Sequence, residues 1–472
     1  MKKLLLLLLA CSTITGWAAS PTFSGVIVTG TADLNKIYVS GTALGAGSHI
    51  IYVSKSAQAT DTRAGLNKSD VTRPFATLTA AQSAASSGDT IIVASGIYAE
   101  MNLGKDGVNW YFQPGSIISM LTDATDGSAI FRDNGTAMTF TVAGYGNFII
   151  GYATDSGGTL YFHCISITDA SSVITVYCEN MTSTASAEGD CSTVFQQDGI
   201  LVVRARNIDS LEGGTSYGVW WENGFQDVKA SKINCENYFA VGGSCSFIPT
   251  GDCHVQAEEI NGGVAEAGSN ATAAIWIRAN IIRGIGSQAG VANQGSNKLY
   301  VECQKVFGAV QCLGGILYFR GDKVQAISNG ISAASAGMMF IHGGTAHITC
   351  SEYTPDTFTG QMLEQDGGTL YFKGGVYTAI SGANGFNISS GTGYLKNGLR
   401  LDTSSSGTTS PITKSGGTLI LDDVTMVSSG TQLSISATNA QNIKVYGAQA
   451  NVAVSGTITQ QVGTVIINSN VQ

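Results

Sequence analysis

Short runs of alternating apolar and polar residues recur along most of this chain, and many have a glycine at a fixed distance ahead of them. The clearest are Gly158-Thr-Leu-Tyr-Phe162, Gly199-Ile-Leu-Val-Val203, Gly315-Ile-Leu-Tyr-Phe319, Gly368-Thr-Leu-Tyr-Phe372, Gly417-Thr-Leu-Ile-Leu421 and Gly463-Thr-Val-Ile-Ile467. Aligned on the central apolar residue, the series runs Val93, Phe112, Phe140, Phe162, Val176, Val203, Val228, Val255, Ile277, Val301, Phe319, Phe340, Phe372, Leu395, Leu421, Val445, Ile467. That is one strand about every 23 residues, the period of a solenoid. Glycine stands four residues before the centre in nine of the strands, several times what 60 glycines in 472 residues would place there at random. Each repeat is therefore read as one coil, with glycine marking the turn into a strand.

Alternation along a strand sends the central residue and those two away to one face, and the intervening residues to the other. The inward set is apolar, as in Leu160 and Phe162, Leu201 and Val203, Leu299 and Val301, and Leu317 and Phe319. The outward residue just before each centre reads Asp227, His254, Trp276, Tyr300, Tyr318, Met339, Tyr371, Tyr394 over the middle and later coils. The next outward ladder carries Arg204, Lys229, Arg278, Arg320, Lys373 and Lys396, interrupted by Glu302. Stacked strands turn like positions into columns, so function is sought in these outward columns.

Ahead of the repeats, residues 20–48 read as an extended N-terminal arm with strand-like runs at Val26-Ile27-Val28 and Ile37-Tyr38-Val39. Residues 49–90 read as a cap on the solenoid that occupies 49–472. The cap runs Tyr52-Val53-Ser54, a polar loop with Asp61 and Gly65, Arg73-Pro74-Phe75-Ala76-Thr77-Leu78-Thr79-Ala80-Ala81, Gly88-Asp89-Thr90-Ile91-Ile92-Val93 and Gly96-Ile97-Tyr98-Ala99-Glu100. Proline before and Gly-Asp after bound one helix of about ten residues with a small apolar face. The segment over 51–100 resembles the N-terminal cap of the pectin-lyase-like superfamily. That resemblance implies an all-β, single-stranded right-handed parallel β-helix with an N-terminal capping helix. Asp106-Gly107-Val108-Asn109-Trp110-Tyr111-Phe112-Gln113-Pro114-Gly115 is similar to runs in β-helix proteins of bacterial surfaces and phage tails.

Composition narrows the function classes. Charged residues are 12% of the chain and the net charge is −9, with no basic run of the kind that grips nucleic acid. Met1-Lys2-Lys3, the leucines at 4–9 and Gly16-Trp17-Ala18-Ala19 read as an export signal over residues 1–19. Leu8-Leu9-Ala10-Cys11 also resembles a lipoprotein box, and lipidation at Cys11 is the one route to a membrane. The location expected is secreted or cell-surface, with an outer-membrane lipoprotein or a virion as alternatives. The ten cysteines have irregular spacing, and Cys164, Cys178 and Cys303 have inward parity. They are read as core fillers, while Cys235, Cys245 and Cys253 leave a disulfide open. No cofactor and no metal site is expected.

Candidate chemistry falls in two places. Trp276, Tyr300, Tyr318, Tyr371 and Tyr394, beside Arg278, Arg320 and Lys373, could contact a glycan. Ordinary strand surface, a stripe covered by a loop, and the interface of a homotrimer are the competing readings of the same column. The second place is Tyr217, Trp220, Trp221, Glu222 and Phe225, with Gln197 and Asp198 one coil earlier. There Asp198 and Glu222 are weak candidates for a carboxylate pair that cleaves glycosidic bonds, with Trp221 as a glycan platform. The catalytic signatures of pectate lyases and polygalacturonases are missing from the sequence. His342 has inward parity and reads as a core or turn residue. The expectation is an exported, glycan-binding or adhesive, non-enzymatic surface protein. A polysaccharide lyase or hydrolase and a phage tail fibre or spike subunit are the alternatives.

Overall fold

In the computed structural model, the described residues are 50–428 apart from 63–66, 122–127, 152–160, 185–189, 212–215, 237, 245–250, 270–271, 286–288, 327–338, 356–360, 379–383 and 404–411, together with short strands at 27–28, 37–39, 42–44, 435–437, 443–446 and 465–467. The export signal, Cys11, Cys245 and Gly158 lie outside them. Ile27–Val28, Ile37–Val39 and Thr42–Leu44 form a small antiparallel sheet. From Ile50 onward the described residues form two long parallel sheets, of 21 and 13 strands. The chain is an all-β parallel solenoid.

The first sheet holds long strands such as Val173–Thr184, Ile200–Leu211, Phe225–Cys235 and Lys298–Phe307. Each alternates buried and partly exposed residues, then slips by one position at an outward pair. Arg206-Asn207, Ser231-Lys232 and Gln304-Lys305 mark this slip. There the strand bends over a corner, so one strand supplies two faces of the coil. The second sheet, from Ser128–Arg132 to Ile435–Ala437, supplies the third. Small residues stack inside the bend: Cys178, Ala205, Ala230, Ala257, Ala279 and Cys303 are in register. Cys164, Cys178 and Cys303 are core fillers as expected, and Cys235 and Cys253 are buried too.

The central column proceeds in register from Val176 through Val203, Val228, Val255, Ile277, Val301 and Phe319 to Ile348, Phe372, Leu395, Leu421, Val445 and Ile467. Three expectations change. Phe162 and Phe340 belong to the second sheet, within Tyr161–Ile167 and Met339–Ile341. Phe140 pairs with Ile174, two positions from the column but on the same face. The 32-residue gap between Phe340 and Phe372 hides a complete long strand, Thr345–Pro355. Met339 is consequently buried, whereas His342 is exposed at a turn, its Nδ1 2.8 Å from both carboxylate oxygens of Asp366.

The glycines enforce close stacking. Gly224, Gly315, Gly344, Gly368, Gly391 and Gly417 all have φ between 52° and 77°. A Cβ on Gly368 would lie 2.6 Å from the carbonyl oxygen of Gly344, and one on Gly391 would lie 2.4 Å from that of Gly368. Those same carbonyls accept from Thr369 N at 2.9 Å and Thr392 N at 3.0 Å. The hydrogen bonds that continue the ladder thus run through space that a side chain would fill.

A second device fixes the turn from inside. At several coils the residue closing the second-sheet strand points inward and binds its own turn. Gln196 Nε2 donates to Gly199 O at 2.8 Å, and Trp221 Nε1 to Gly224 O at 2.9 Å. Asn293 Nδ2 donates to Asn297 O at 3.2 Å, and Gln365 Nε2 to Gly367 O at 3.3 Å. Glu266 occupies the same column, pairing in register with Asn293, and accepts from Gly268 N. Burial pushes the Glu266 carboxyl up from its ordinary 4.5 to about 8, against the opposing hydrogen bonds from Gly268, Asn297 and Gly295.

The helix Leu78–Ala84 is shorter than expected and buries Leu78 and Ala81. Thr77 Oγ1 accepts from Ala80 N at 3.2 Å, and Glu100 Oε1 accepts from Leu78 N at 2.8 Å. Asp61 Oδ1 holds Ala76 N at 2.9 Å. Asp61 and Glu100 thereby satisfy amides at the entry to the helix, where backbone donors lack intrahelical partners.

Two stability outcomes follow from this packing. Gly368→Ala is expected to cost roughly 2–4 kcal/mol in urea melts, combining left-handed strain with the backbone clash. Gly135→Ala is the comparison, since its φ is 68° but the nearest atom to an added Cβ is 4.0 Å away. It should cost distinctly less. For Glu266, the folded chain keeps its proton to higher pH than the unfolded chain does. Its contribution is therefore most favourable below about 4.5, declines as pH rises and levels off above about 8. Glu266→Gln should flatten that decline, with its urea midpoint pulling ahead of the natural chain across the window.

Candidate functional site

Restoring Ile348 to the central column places His347, not Met339, in the outward column beside it. The rings of His254, Trp276, Tyr300, Tyr318, His347, Tyr371 and Tyr394 then form one unbroken stack. Successive centroids from Trp276 to Tyr394 are 3.7, 4.7, 4.7, 4.6 and 4.7 Å apart, with planes within 8° of parallel. His254 lies 6.1 Å before Trp276 at 4°. The spacing matches the roughly 4.8 Å between hydrogen-bonded strands, so the sheet itself sets the ring separation. Six of these seven rings were legible in the sequence; His347 was missed, although Gly344 stands four residues before Ile348 and signals the strand.

Beside the rings runs the second outward column, in register as Arg204, Lys229, Gln256, Arg278, Glu302, Arg320, Thr349, Lys373 and Lys396. Arg204 is tied to the Asp227 carboxylate, and Arg278 Nε lies 3.7 Å from Glu302 Oε2. Arg320 and Lys373 are exposed and form no ion pair among the described residues. Lys396 lies over the Tyr371 ring, 5.7 Å from its centroid. Between the columns is a groove of about 730 Å³, lined by His254, Trp276, Tyr300, Tyr318 and His347 on one side and by Arg278, Glu302, Arg320 and Thr349 on the other.

The stack determines what this groove offers. Face-to-face rings occupy one another's π-faces, leaving mainly edges, phenol hydroxyls and imidazole nitrogens at the surface. Burial between neighbouring rings, and then the Lys396 ammonium, hold His347 below the ordinary imidazole value. From Trp276 to Tyr394 the ring column is therefore a neutral polar-edged wall, and the positive charge comes from the arginines and lysines beside it.

At the second candidate place the two indoles are turned the other way from the expectation. Trp221 is fully buried, because it is the inward turn tether of its coil, and it cannot serve as a glycan platform. Trp220 is the partly exposed indole, 4.1 Å from Tyr217, with Nε1 donating to Glu222 Oε1 at 3.3 Å. Burial raises the Glu222 carboxyl, and the Trp220 bond opposes this. Asp198 accepts from its neighbour Gly199 N at 2.8 Å and from Asn223 Nδ2 at 3.2 Å. Asp198 thus braces its own turn, Glu222 is held by the Trp220 indole, and neither lines the groove. Among the described residues no group of three or more His, Cys, Asp or Glu is placed to hold a metal.

Comparison with protein-family models, with curated proteins and with solved structures finds no match for this chain.

The buried turn tether and the surface ring stack should separate in their energetics. Trp221→Ala is expected to destabilise by about 3–5 kcal/mol through a core cavity and a freed turn carbonyl. Tyr318→Ser removes two stacked contacts at the surface and should cost about 1–3 kcal/mol. Urea titrations of both variants check the ordering.

Proposed function

We propose that this chain is an exported surface β-solenoid that binds an extended acidic glycan along the groove between its ring column and its basic column. The observation that carries this reading is the groove itself. It runs along the stacking direction, repeats at strand spacing and sets polar ring edges against Arg278 and Arg320, with Lys373 in register on the coil beyond Thr349. A periodic polymer laid along it meets the same contacts coil after coil. Guanidinium groups suit carboxylates geometrically as well as by charge. Burial of the glycan would require little ordering of the protein, because the rings already hold one another in place.

The resemblance over residues 51–100 supports placing the chain with right-handed β-helices of the pectin-lyase-like type. In this reading the helix Leu78–Ala84, with Leu78 and Ala81 turned inward, covers the open end of the first coil. The leader-like residues 1–19 support export. Retention without turnover fits Asp198, which accepts from Gly199 N and Asn223 Nδ2, and Glu222, which accepts from the Trp220 indole.

Acidic and neutral polysaccharides should be compared by co-sedimentation at low and high salt, while reading release of reducing or unsaturated ends. The expected result is retention of an acidic polymer that weakens with salt and falls at least tenfold in the Arg320→Gln, Lys373→Gln double variant. Absence of binding to every acidic polymer at low salt would overturn the reading. Turnover lost in Glu222→Gln would replace it with the enzymatic one.

A further inference from the structure

The cations of the basic column are not evenly distributed, and their register has a chemical consequence. Five successive coils carry, in order, Arg278, Glu302, Arg320, Thr349 and Lys373. Positive charge therefore returns on alternate coils, at about twice the ~4.8 Å strand spacing. The coils between carry an acid and a neutral hydroxyl. Lys396 follows Lys373 directly, but it lies over the Tyr371 ring.

We infer that the groove selects a polysaccharide bearing one acidic group per disaccharide over one bearing an acid on every sugar. This rests on the glycan-binding reading above. A pyranose in an extended chain advances by a length comparable with one strand spacing, so a disaccharide spans about two coils. Acids on alternate sugars fall opposite Arg278, Arg320 and Lys373, and the neutral sugars between fall opposite Glu302 and Thr349. A homopolymer charged on every sugar would bring a carboxylate against Glu302, where like charges repel. The Arg278–Glu302 pair does not remove this selection. Both side chains are about half exposed, at 48% and 52%, and such surface pairs are weak enough for Arg278 to turn to a ligand.

The test compares hyaluronan, with one carboxylate per disaccharide, against polygalacturonate of matched length, with one per sugar, and against dextran. The natural chain should bind hyaluronan at least tenfold more tightly than polygalacturonate at the same ionic strength. In a Glu302→Lys, Thr349→Lys variant, whose fold is checked by circular dichroism, that ratio should shrink or reverse, because every coil then presents a cation. Equal affinity of the natural chain for the two acidic polymers would overturn the inference while leaving glycan binding intact. So would a ratio unchanged in the double variant. Failure to bind either acidic polymer would instead remove the glycan-binding reading on which the inference stands.

Discussion

The structure depends on how closely one coil can approach the next at its turns. At Gly315, Gly344, Gly368, Gly391 and Gly417 the backbone of each coil sits where a Cβ would strike a carbonyl oxygen of the coil before it. That contact is also where the next strand's first amide donates to the preceding turn, as Thr345 N does to Gly315 O at 2.8 Å. Register is set once per coil at this point. A slip of one residue would turn every inward side chain to the surface, so the glycine turn protects the core as well as the ladder. The inward tethers Gln196, Trp221, Asn293 and Gln365 hold the same turn from the other side, donating to turn carbonyls of which those of Gly199 and Asn297 also accept an amide from the next coil.

Register fixed in this way converts sequence periodicity into columns. Rings placed one strand apart have little choice but to stack, and from Trp276 to Tyr394 they do so nearly parallel. Stacking makes the face rigid, and it also removes the mode of sugar recognition that isolated tyrosines would provide. What remains for a ligand is a line of edges and hydroxyls with a charge pattern beside it. The pattern rather than the aromatic content is then the source of selectivity.

Much of this was legible in the sequence. The glycine four residues ahead of a strand centre located most long strands, and parity correctly turned Leu201, Val203, Leu299 and Val301 inward. The failures have a common cause. Phe162 and Phe340 carry the same local alternation as the long strands, because the second sheet obeys the same two-residue period. At Phe162 alternation told the face but not the sheet, and at Phe340 it misled on both, because Met339 is the buried residue and Phe340 is partly exposed. Aligning on Phe340 displaced His347 by a whole strand and broke a column that is continuous. Trp221 was misread for a different reason: adjacent indoles on a strand must face oppositely, but only the hydrogen bond to Gly224 shows which of them is inward. Nothing local in the sequence encodes that bond.

The two outward columns differ in how far recognition can be separated from stability. Each inner ring of the stack supports two neighbours, so altering it disturbs both the surface and the coil-to-coil contact, worth about 0.5–1.5 kcal/mol per pair. Arg320, Thr349 and Lys373 are exposed heads on strands whose register is already set by the core and the glycine turns. Exchanging them changes charge with little effect on packing. A lineage built on this scaffold could therefore change its ligand's charge spacing by substitutions in the basic column alone, while the rings keep the coils aligned. Binding specificity in a solenoid of this kind is written along the rod axis, one residue per coil, and the strand spacing is its ruler.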